Sequence, residues 1–272
     1  MSSVIISARG EQRVRSGHPW IYRADVVHVE ATGGDIVQVI GPRQRTIGYA
    51  LFSDRSQITI RMLTRGEKPA DESLIRARVA AAIAYRSSMN LDATACRLIH
   101  GEADLLPSLV VDRYGRYLAV QALSQGMDRL LPAVTRFLVE FAGPPDEGSC
   151  RLEEPLGILA RNDPKVRALE GLDQTIAVLH GNIPETVVAR EGPVEYAVDL
   201  RRGQKTGLFL DQRENREAAA RYARGRLLDC FSYNGGFALR LAPQCDDVEG
   251  LDISAEAVSR IRANAEHNAL AN

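Results

Sequence analysis

Runs rich in β-branched residues alternate with turn signals through the first quarter of the chain. Asp35–Ile40, Thr46–Leu51 and Gln57–Met62 are separated by Gly41-Pro42 and Ser53-Asp54, with Gly33-Gly34 ahead of the first. Short strands at this spacing predict a small all-β unit, a barrel or sandwich, ending near Pro69. From Glu72 to about Met89 the period lengthens: Leu74, Ile75, Val79, Ala82 and Ile83 fall on one side of a helix. Strand-like runs return at Cys96–Gly101, Ser108–Asp112 and Tyr117–Leu123, the last two joined through Tyr114-Gly115-Arg116 as a hairpin. Met127–Phe141 reads as a second amphipathic helix stopped by Gly143-Pro144-Pro145, and Ser149–Leu152 and Ile176–Leu179 as further strands. Helices mixed with antiparallel strands make an α+β unit.

The pattern changes again near residue 189. Val194–Leu200 and Gly207–Asp211 flank Arg201-Arg202-Gly203 and predict a hairpin. A helix over Arg213–Tyr222 leads into the strand Arg226–Phe231. The turn Ser232-Tyr233-Asn234-Gly235-Gly236, a helix over Phe237–Leu241, a strand Val248–Asp252 and a helix over Ala255–Asn268 follow. Strand, glycine turn, helix, strand ending in Asp, helix is the opening of a nucleotide-binding parallel sheet. The expected organisation is therefore a β unit over 1–69, an α+β unit over 70–188 and the start of an α/β unit over 189–272.

A length of 272 residues suits two or three domains at roughly 150 residues each. With 45% hydrophobic and 25% charged residues the chain is of ordinary globular composition. No apolar run approaches the roughly 20 residues that span a bilayer, and Met1–Ile6 does not resemble a secretory signal. Cys96, Cys150, Cys230 and Cys245 lie far apart, which fits neither a disulfide framework nor a zinc site. A cytoplasmic protein is expected.

The net charge of −1 does not itself announce a nucleic-acid partner. Locally the picture differs: residues 1–70 carry ten basic against six acidic side chains, and residues 201–226 eight against three. Arg13, Arg15, His18 and Arg23 surround Pro19-Trp20, a combination suited to phosphate pairing and base stacking on RNA. The competing reading makes Trp20 a core anchor and the arginines a solvated face. Only Lys68, Lys165 and Lys205 among the 34 basic residues are lysine. A GC-rich genome accounts for most of that bias, yet a retained lysine offers a compact ammonium that Arg cannot.

Gly235 and Gly236 permit a sharp turn close beneath a ligand, and Asp252 ends the second parallel strand, where a carboxylate can accept ribose hydroxyls. Neither a Gly-x-Gly-x-x-Gly pattern nor a P-loop is present, so a pyrophosphate is not the expected feature. An adenosine without phosphates, as in S-adenosylmethionine, fits the residues.

Longer motifs sharpen this. His18-Pro19-Trp20, Arg97–Pro107 (RLIHGEADLLP), Val111-Asp112-Arg113-Tyr114, Glu170-Gly171-Leu172, Gly203–Arg213 (GQKTGLFLDQR), Asp229–Phe237 (DCFSYNGGF) and Leu251-Asp252-Ile253-Ser254 run through nearly the whole chain. Together they resemble the bacterial large-subunit ribosomal-RNA cytosine-C5 methyltransferases built on an N-terminal PUA domain. The resemblance implies a PUA β-barrel that binds ribosomal RNA, a middle α+β domain and a Rossmann-like class I methyltransferase domain using S-adenosylmethionine. It implies that Asp252 holds the cofactor ribose beside Ile253, that Asp229, Tyr233, Gly235 and Gly236 line the cofactor, and that Phe209 and Asp211 close over it from the preceding hairpin. Lys205 would face RNA phosphate or the cofactor carboxylate; the plainer alternative is an exposed turn charge. For Asp211 and Asp229 the plainer alternative is capping and turn support.

The chain departs from the family pattern at Asn234, where Thr is usual, and at Arg161-Asn162-Asp163, where Arg-Ser-Asp is usual. Family members continue beyond the position of Asn272 through an Asp-Pro-Pro stretch and a cysteine that attacks the base. The α/β unit is thus expected to be cut short, and this chain to be inactive alone. Cytosine C5 chemistry needs a thiolate to add at C6. Cys230 is expected to be a buried small hydrophobe, and Cys96, Cys150 and Cys245 to be structural. A non-catalytic RNA-binding protein is the alternative function, and a nicotinamide oxidoreductase a weaker one. The sequence leaves the oligomeric state open, a homodimer among the alternatives.

Overall fold

A computed structural model describes residues 2–142 and 152–271. In the N-terminal part, β1 (Ser3–Ile6), β2 (Trp20–Tyr22), β3 (Val26–Glu30), β4 (Ile36–Ile40), β5 (Thr46–Phe52) and β6 (Ile58–Met62) form one sheet in the order β2-β6-β5-β4-β1-β3. Only the β1–β4 pair is parallel. Helix α1 (Ala8–Arg15) starts at Ser7, whose hydroxyl accepts from the Gly10 N–H. Alternate residues Val37 and Val39 of β4 join Val4, Ile6, Ile21 and Ile60 in the core. β5 is buried along nearly its whole length because its second face meets the next unit.

That unit is a five-stranded sheet, β11 (Thr175–Gly181), β10 (Gly157–Asn162), β9 (Tyr117–Ala122), β8 (Leu109–Tyr114) and β7 (Ala95–His100), in that order. Helices α2 (Glu72–Ser88) and α3 (Gln125–Glu140) supply Ile75, Val79, Val134 and Leu138 to a core shared with Leu98, Val111, Val120 and Ile158. Leu51 of β5 enters the same core. The approach is close: a Cβ added at Gly126 of α3 would stand 2.8 Å from the Leu51 Cβ. The stop at Gly143-Pro144-Pro145 lies outside the described residues, as do residues 149–151 of the predicted strand Ser149–Leu152 and Cys150; Leu152 itself is in no strand.

Beyond it come the hairpin β12 (Val187–Glu191)–β13 (Val194–Val198), α4 (Arg213–Ala220), β14 (Arg226–Cys230), α5 (Gly236–Leu241), β15 (Asp247–Leu251) and α6 (Ala255–His267). The boundary predicted at 188/189 falls inside β12. Val187, Ala189, Tyr196 and Val198 of the hairpin pack with Leu239 on Ala95, Tyr114, Ala119 and Leu159 of the five-stranded sheet. β14 and β15 are parallel, Asp229 opposite Gly250.

Two expectations fail here. The hairpin does not pair Val194–Leu200 with Gly207–Asp211; β13 pairs with β12 instead, through a turn at Gly192 with φ of 56°. Residues 199–209 cannot extend a ladder because side chains hold their backbone. The Asp199 carboxylate accepts the N–H groups of Arg201 and Arg202, and Leu200 and Gly203 give their carbonyls to Arg161. Gly207 gives its carbonyl to Tyr233 and Asn234. Cys230 is not buried but exposed. Successive strand residues face opposite ways, and Leu228, Cys230 and Leu251 share the face that no described element covers.

Candidate functional site: a cavity at the ends of the parallel strands

A cavity of about 260 Å³ lies where β14 ends and α5 begins, walled by Phe209, Tyr233, Phe231 and Phe237 with Asp229, Asn234 and Arg216 among its polar members. Three elements build it. The first is the turn after β14. Gly235 sits at φ of 79°, and the Asp229 carboxylate accepts from the Ser232 hydroxyl at 2.6 Å and the Ala238 N–H at 3.0 Å. Tyr233 itself has φ of 50°, strained for a non-glycine residue. The Asp252 carboxylate offsets this by accepting the Tyr233 N–H at 2.9 Å and the Ser254 N–H at 2.9 Å. Those N–H groups hold the Asp252 carboxyl below the usual carboxylate range.

The second element is the segment 203–212. Gln204 donates its N–H to the Tyr233 hydroxyl at 2.7 Å, and the Phe209 and Tyr233 rings meet edge to face at 5.3 Å. The Lys205 ammonium stands 3.0 and 3.2 Å from the two Asp211 oxygens and 4.4 Å from the Phe209 ring centre. Burial works against ionised Asp211, but the Lys205 ammonium, the Asp211 main-chain N–H and Gln212 together keep the carboxyl below its ordinary value. From below, Thr206 donates to Asp112 at 2.6 Å, Tyr114 bonds Thr206 at 2.9 Å, and Arg97 grips Asp112 with two bonds.

The third is α4, whose Arg216 forms a bidentate pair with Glu191 of β12 at 2.8 and 2.6 Å and also reaches the Phe209 carbonyl. The two motif departures are structural joints. Asn234 bridges Gly207, Arg260 and Asn264, and the Asn162 side chain accepts the Ala122 N–H.

Residues 4–65 match the PUA-like domain family, and residues 168–271 match a family of S-adenosylmethionine-dependent methyltransferases. Over 98% of its length the chain is 33% identical to ribosomal RNA large subunit methyltransferase I of Vibrio cholerae, of which it covers 67%. Over 99% it is 34% identical to the protein of that name in Aeromonas salmonicida, covering 68%. The chain belongs to the ribosomal RNA large subunit methyltransferase I family. It spans about two thirds of the length of the curated relatives it matches. Membership decides for methyl transfer, with S-adenosylmethionine as the family's cofactor, over nicotinamide chemistry. A candidate SAM-dependent methyltransferase of Streptococcus mutans shares the fold, with a TM-score of 0.81 over the whole chain and 68% of its own, at 18% identity. No helix among the described residues is long and apolar enough to cross a membrane.

Of the family residues carried over from sequence, Phe209, Asp229, Tyr233 and Gly236 line the cavity. Gly235 makes the turn, Asp211 lies at the rim with Lys205, and Asp252 underpins Tyr233. Ile253 is fully exposed beside it. Sequence reading missed Gln212, Arg216, Asn234 and Phe231 as lining residues; Arg216 carries no motif signal, while Asn234 and Phe231 stood inside a quoted motif. The residues predicted for RNA are scattered in role. Arg13 lies 3.6 Å from the buried Asp25 and stacks over Tyr22, and Arg15 pairs with Glu11. His18 bonds the Trp20 backbone, and Arg23 holds the carbonyls of Asp54 and Ser56. Trp20 is half-buried and donates to Glu102 at 2.9 Å, clasping the first two units rather than anchoring a core.

Proposed function

We propose that the cavity and the strand ends beside it hold S-adenosylmethionine, and that the methyl acceptor is C5 of a cytosine in large-subunit ribosomal RNA. One observation carries the cofactor assignment. Phe231 after β14 and Ile253 after β15 are 89% and 102% exposed, and Asp252 stands next to Ile253. Two bare apolar side chains at the carboxyl ends of adjacent parallel strands suit an adenine between them, in the place where open α/β sheets bind ligands. The enclosed volume of about 260 Å³ is below the roughly 300–1,000 Å³ usual for ligand pockets, so it takes part of the cofactor and leaves the rest on the open side. Each Asp252 oxygen accepts one main-chain N–H, and the remaining lone pairs suit ribose hydroxyls. Phe209 and Tyr233 wall the far side, and Lys205 supplies a cation at the rim. A solved methyltransferase of the same fold, at 18% identity and TM-score 0.82, is complexed with SAH.

The cytosine assignment rests on the motifs of the family. The bound cofactor supplies a sulfonium methyl; the base needs a thiolate. Cys96 is buried in the middle core, whereas Cys230 reaches the cavity without a hydrogen-bonding base among the described residues. The proposed role of this chain is to bind cofactor and RNA, with the thiolate for C6 assigned to neither of these two cysteines. Titration calorimetry with S-adenosylhomocysteine tests the pocket. Asp252→Ala should weaken binding by about 10- to 150-fold, the equivalent of roughly 1.5–3 kcal/mol for hydrogen bonds to a charged group. Unchanged affinity would remove Asp252 from the site.

A further inference from the structure

Most arginines of this chain are neutralised. Arg9, Arg61, Arg86, Arg97 and Arg216, for example, each meet a carboxylate within 4 Å. Among the cations without such a partner, three stand together. Where the end of β6 passes α2, a groove of about 370 Å³ is bordered by Arg65, Lys68 and Arg78, with Pro19 and Leu105 as apolar walls. None of the three cations has a carboxylate within 4 Å among the described residues. Arg65 also borders a second depression, of about 340 Å³.

The two guanidinium groups are held, not loose. Arg65 donates to the Gly17 carbonyl at 2.7 Å. Arg78 donates to the carbonyls of Leu105 and Leu63, which fixes the plane of its guanidinium with donors to spare. Burial pushes the Arg78 guanidinium down, with no carboxylate to oppose it. The Lys68 carbonyl accepts from Thr64 at 2.7 Å, which sets the backbone of the lysine while its ammonium stays without a partner. A half-buried cation without a counter-ion is costly unless an anion comes to it. Leu105, exposed and at φ of 57°, leaves an apolar surface beside these charges.

A relay of hydrogen bonds runs from the wall of the groove toward the segment that carries Lys205. Leu105 follows Asp104, which grips Arg86 at 2.6 and 2.8 Å; Arg86 reaches the Arg97 carbonyl; Arg97 holds Asp112, and Asp112 holds Thr206 next to Lys205.

We infer that this groove, rather than the internally neutralised Arg13–Arg15 surface, seats the sugar-phosphate backbone of the RNA substrate, with Arg65, Lys68 and Arg78 on phosphate and Pro19 and Leu105 against a nucleoside. The inference rests on the proposed function and names the RNA subsite for it. The test is fluorescence anisotropy of a labelled fragment of large-subunit ribosomal RNA with the whole chain. The double variant Arg65→Gln/Lys68→Gln removes two charges. Arg221→Gln/Arg224→Gln, which removes two unpaired charges at the end of α4, is the control. Each single-stranded phosphate contact contributes about 0.7 to the slope of log affinity against log salt, so the groove variant should lose about 1.4 in slope and about tenfold in affinity near physiological salt. S-adenosylhomocysteine binding should be unchanged, which shows the variant folded. Wild-type slope and affinity in the groove variant would overturn the inference, as would an equal loss in the control. Wild-type protein that binds no RNA would instead sink the RNA half of the proposed function and the groove with it.

Discussion

The pair Arg216–Glu191 offers the most discriminating perturbation. Both side chains are 6% exposed, and the guanidinium makes two bonds to the carboxylate and two longer ones, at 3.3 Å, to the Phe209 carbonyl. Glu191 ends β12, so the pair ties the hairpin to α4 and to the segment that walls the cavity. Glu191→Ala leaves a buried guanidinium with one carbonyl for company. Breaking a buried pair from one side costs about 3–5 kcal/mol. The hairpin and the five-stranded sheet share a core, so the cooperative unit is large, and at about 2–4 °C per kcal/mol the melting temperature should fall by roughly 6–20 °C. Glu191→Leu/Arg216→Met replaces the pair with apolar groups of similar size and should recover most of that loss. It should not recover cofactor affinity, because Arg216 lines the cavity and holds Phe209. Stability is read by circular dichroism in urea; the fluorescence of Trp20 reports the distant clasp to Glu102 instead. A cost below about 1 kcal/mol for Glu191→Ala, or a double variant no more stable than the single, would refute the reasoning.

Burial pushes the Tyr114 and Tyr196 hydroxyls well above the ordinary phenol range, and Tyr233 also upward. An alkaline spectrophotometric titration should therefore leave these three phenols protonated above the ordinary range near pH 10. The unfolded chain releases those protons first, so stability falls as pH rises above about 10, and Tyr114→Phe should lessen the fall. Ionisation of Tyr114, Tyr196 and Tyr233 near pH 10, below the unfolding transition, would contradict the packing. Cys230, exposed and on the cavity, should be alkylated by iodoacetamide far faster than buried Cys96, with S-adenosylhomocysteine slowing it; peptide mass spectrometry gives the two rates. Equal rates, or no protection by the ligand, would contradict the placement of Cys230.

What the sequence made legible follows from how local each signal is. α2 was predictable because five apolar positions share one helical face, and Ile75, Val79, Ala82 and Ile83 are buried there. β14, the turn at Gly235 and β15 were predictable because glycine and the strand-ending acid are tied to backbone geometry. β10 was not predicted: its closing residues Arg161 and Asn162 are polar and carry no strand signal, yet both are buried, with Arg161 holding the carbonyls of Leu200 and Gly203. The false strand at Gly207–Asp211 has the same origin. Its apolar pattern is genuine, but its backbone is claimed by side chains: Tyr233 and Asn234 on the Gly207 carbonyl, Tyr114 on the Leu208 N–H and Arg216 on the Phe209 carbonyl.

The retained lysine shows how far composition can be carried. Arg would serve an exposed ion pair equally well, and such a pair contributes at most about 1 kcal/mol. Lys205 does more than pair: one atom contacts both oxygens of Asp211 and the face of Phe209, from a residue at φ of 53°. A point charge satisfies both neighbours in any rotation about its stem, whereas a planar guanidinium must choose between lying on the ring and lying in the carboxylate plane. The preference for ammonium at position 205 is thus a matter of geometry at the cavity rim, where the ring it covers is a wall of the cavity.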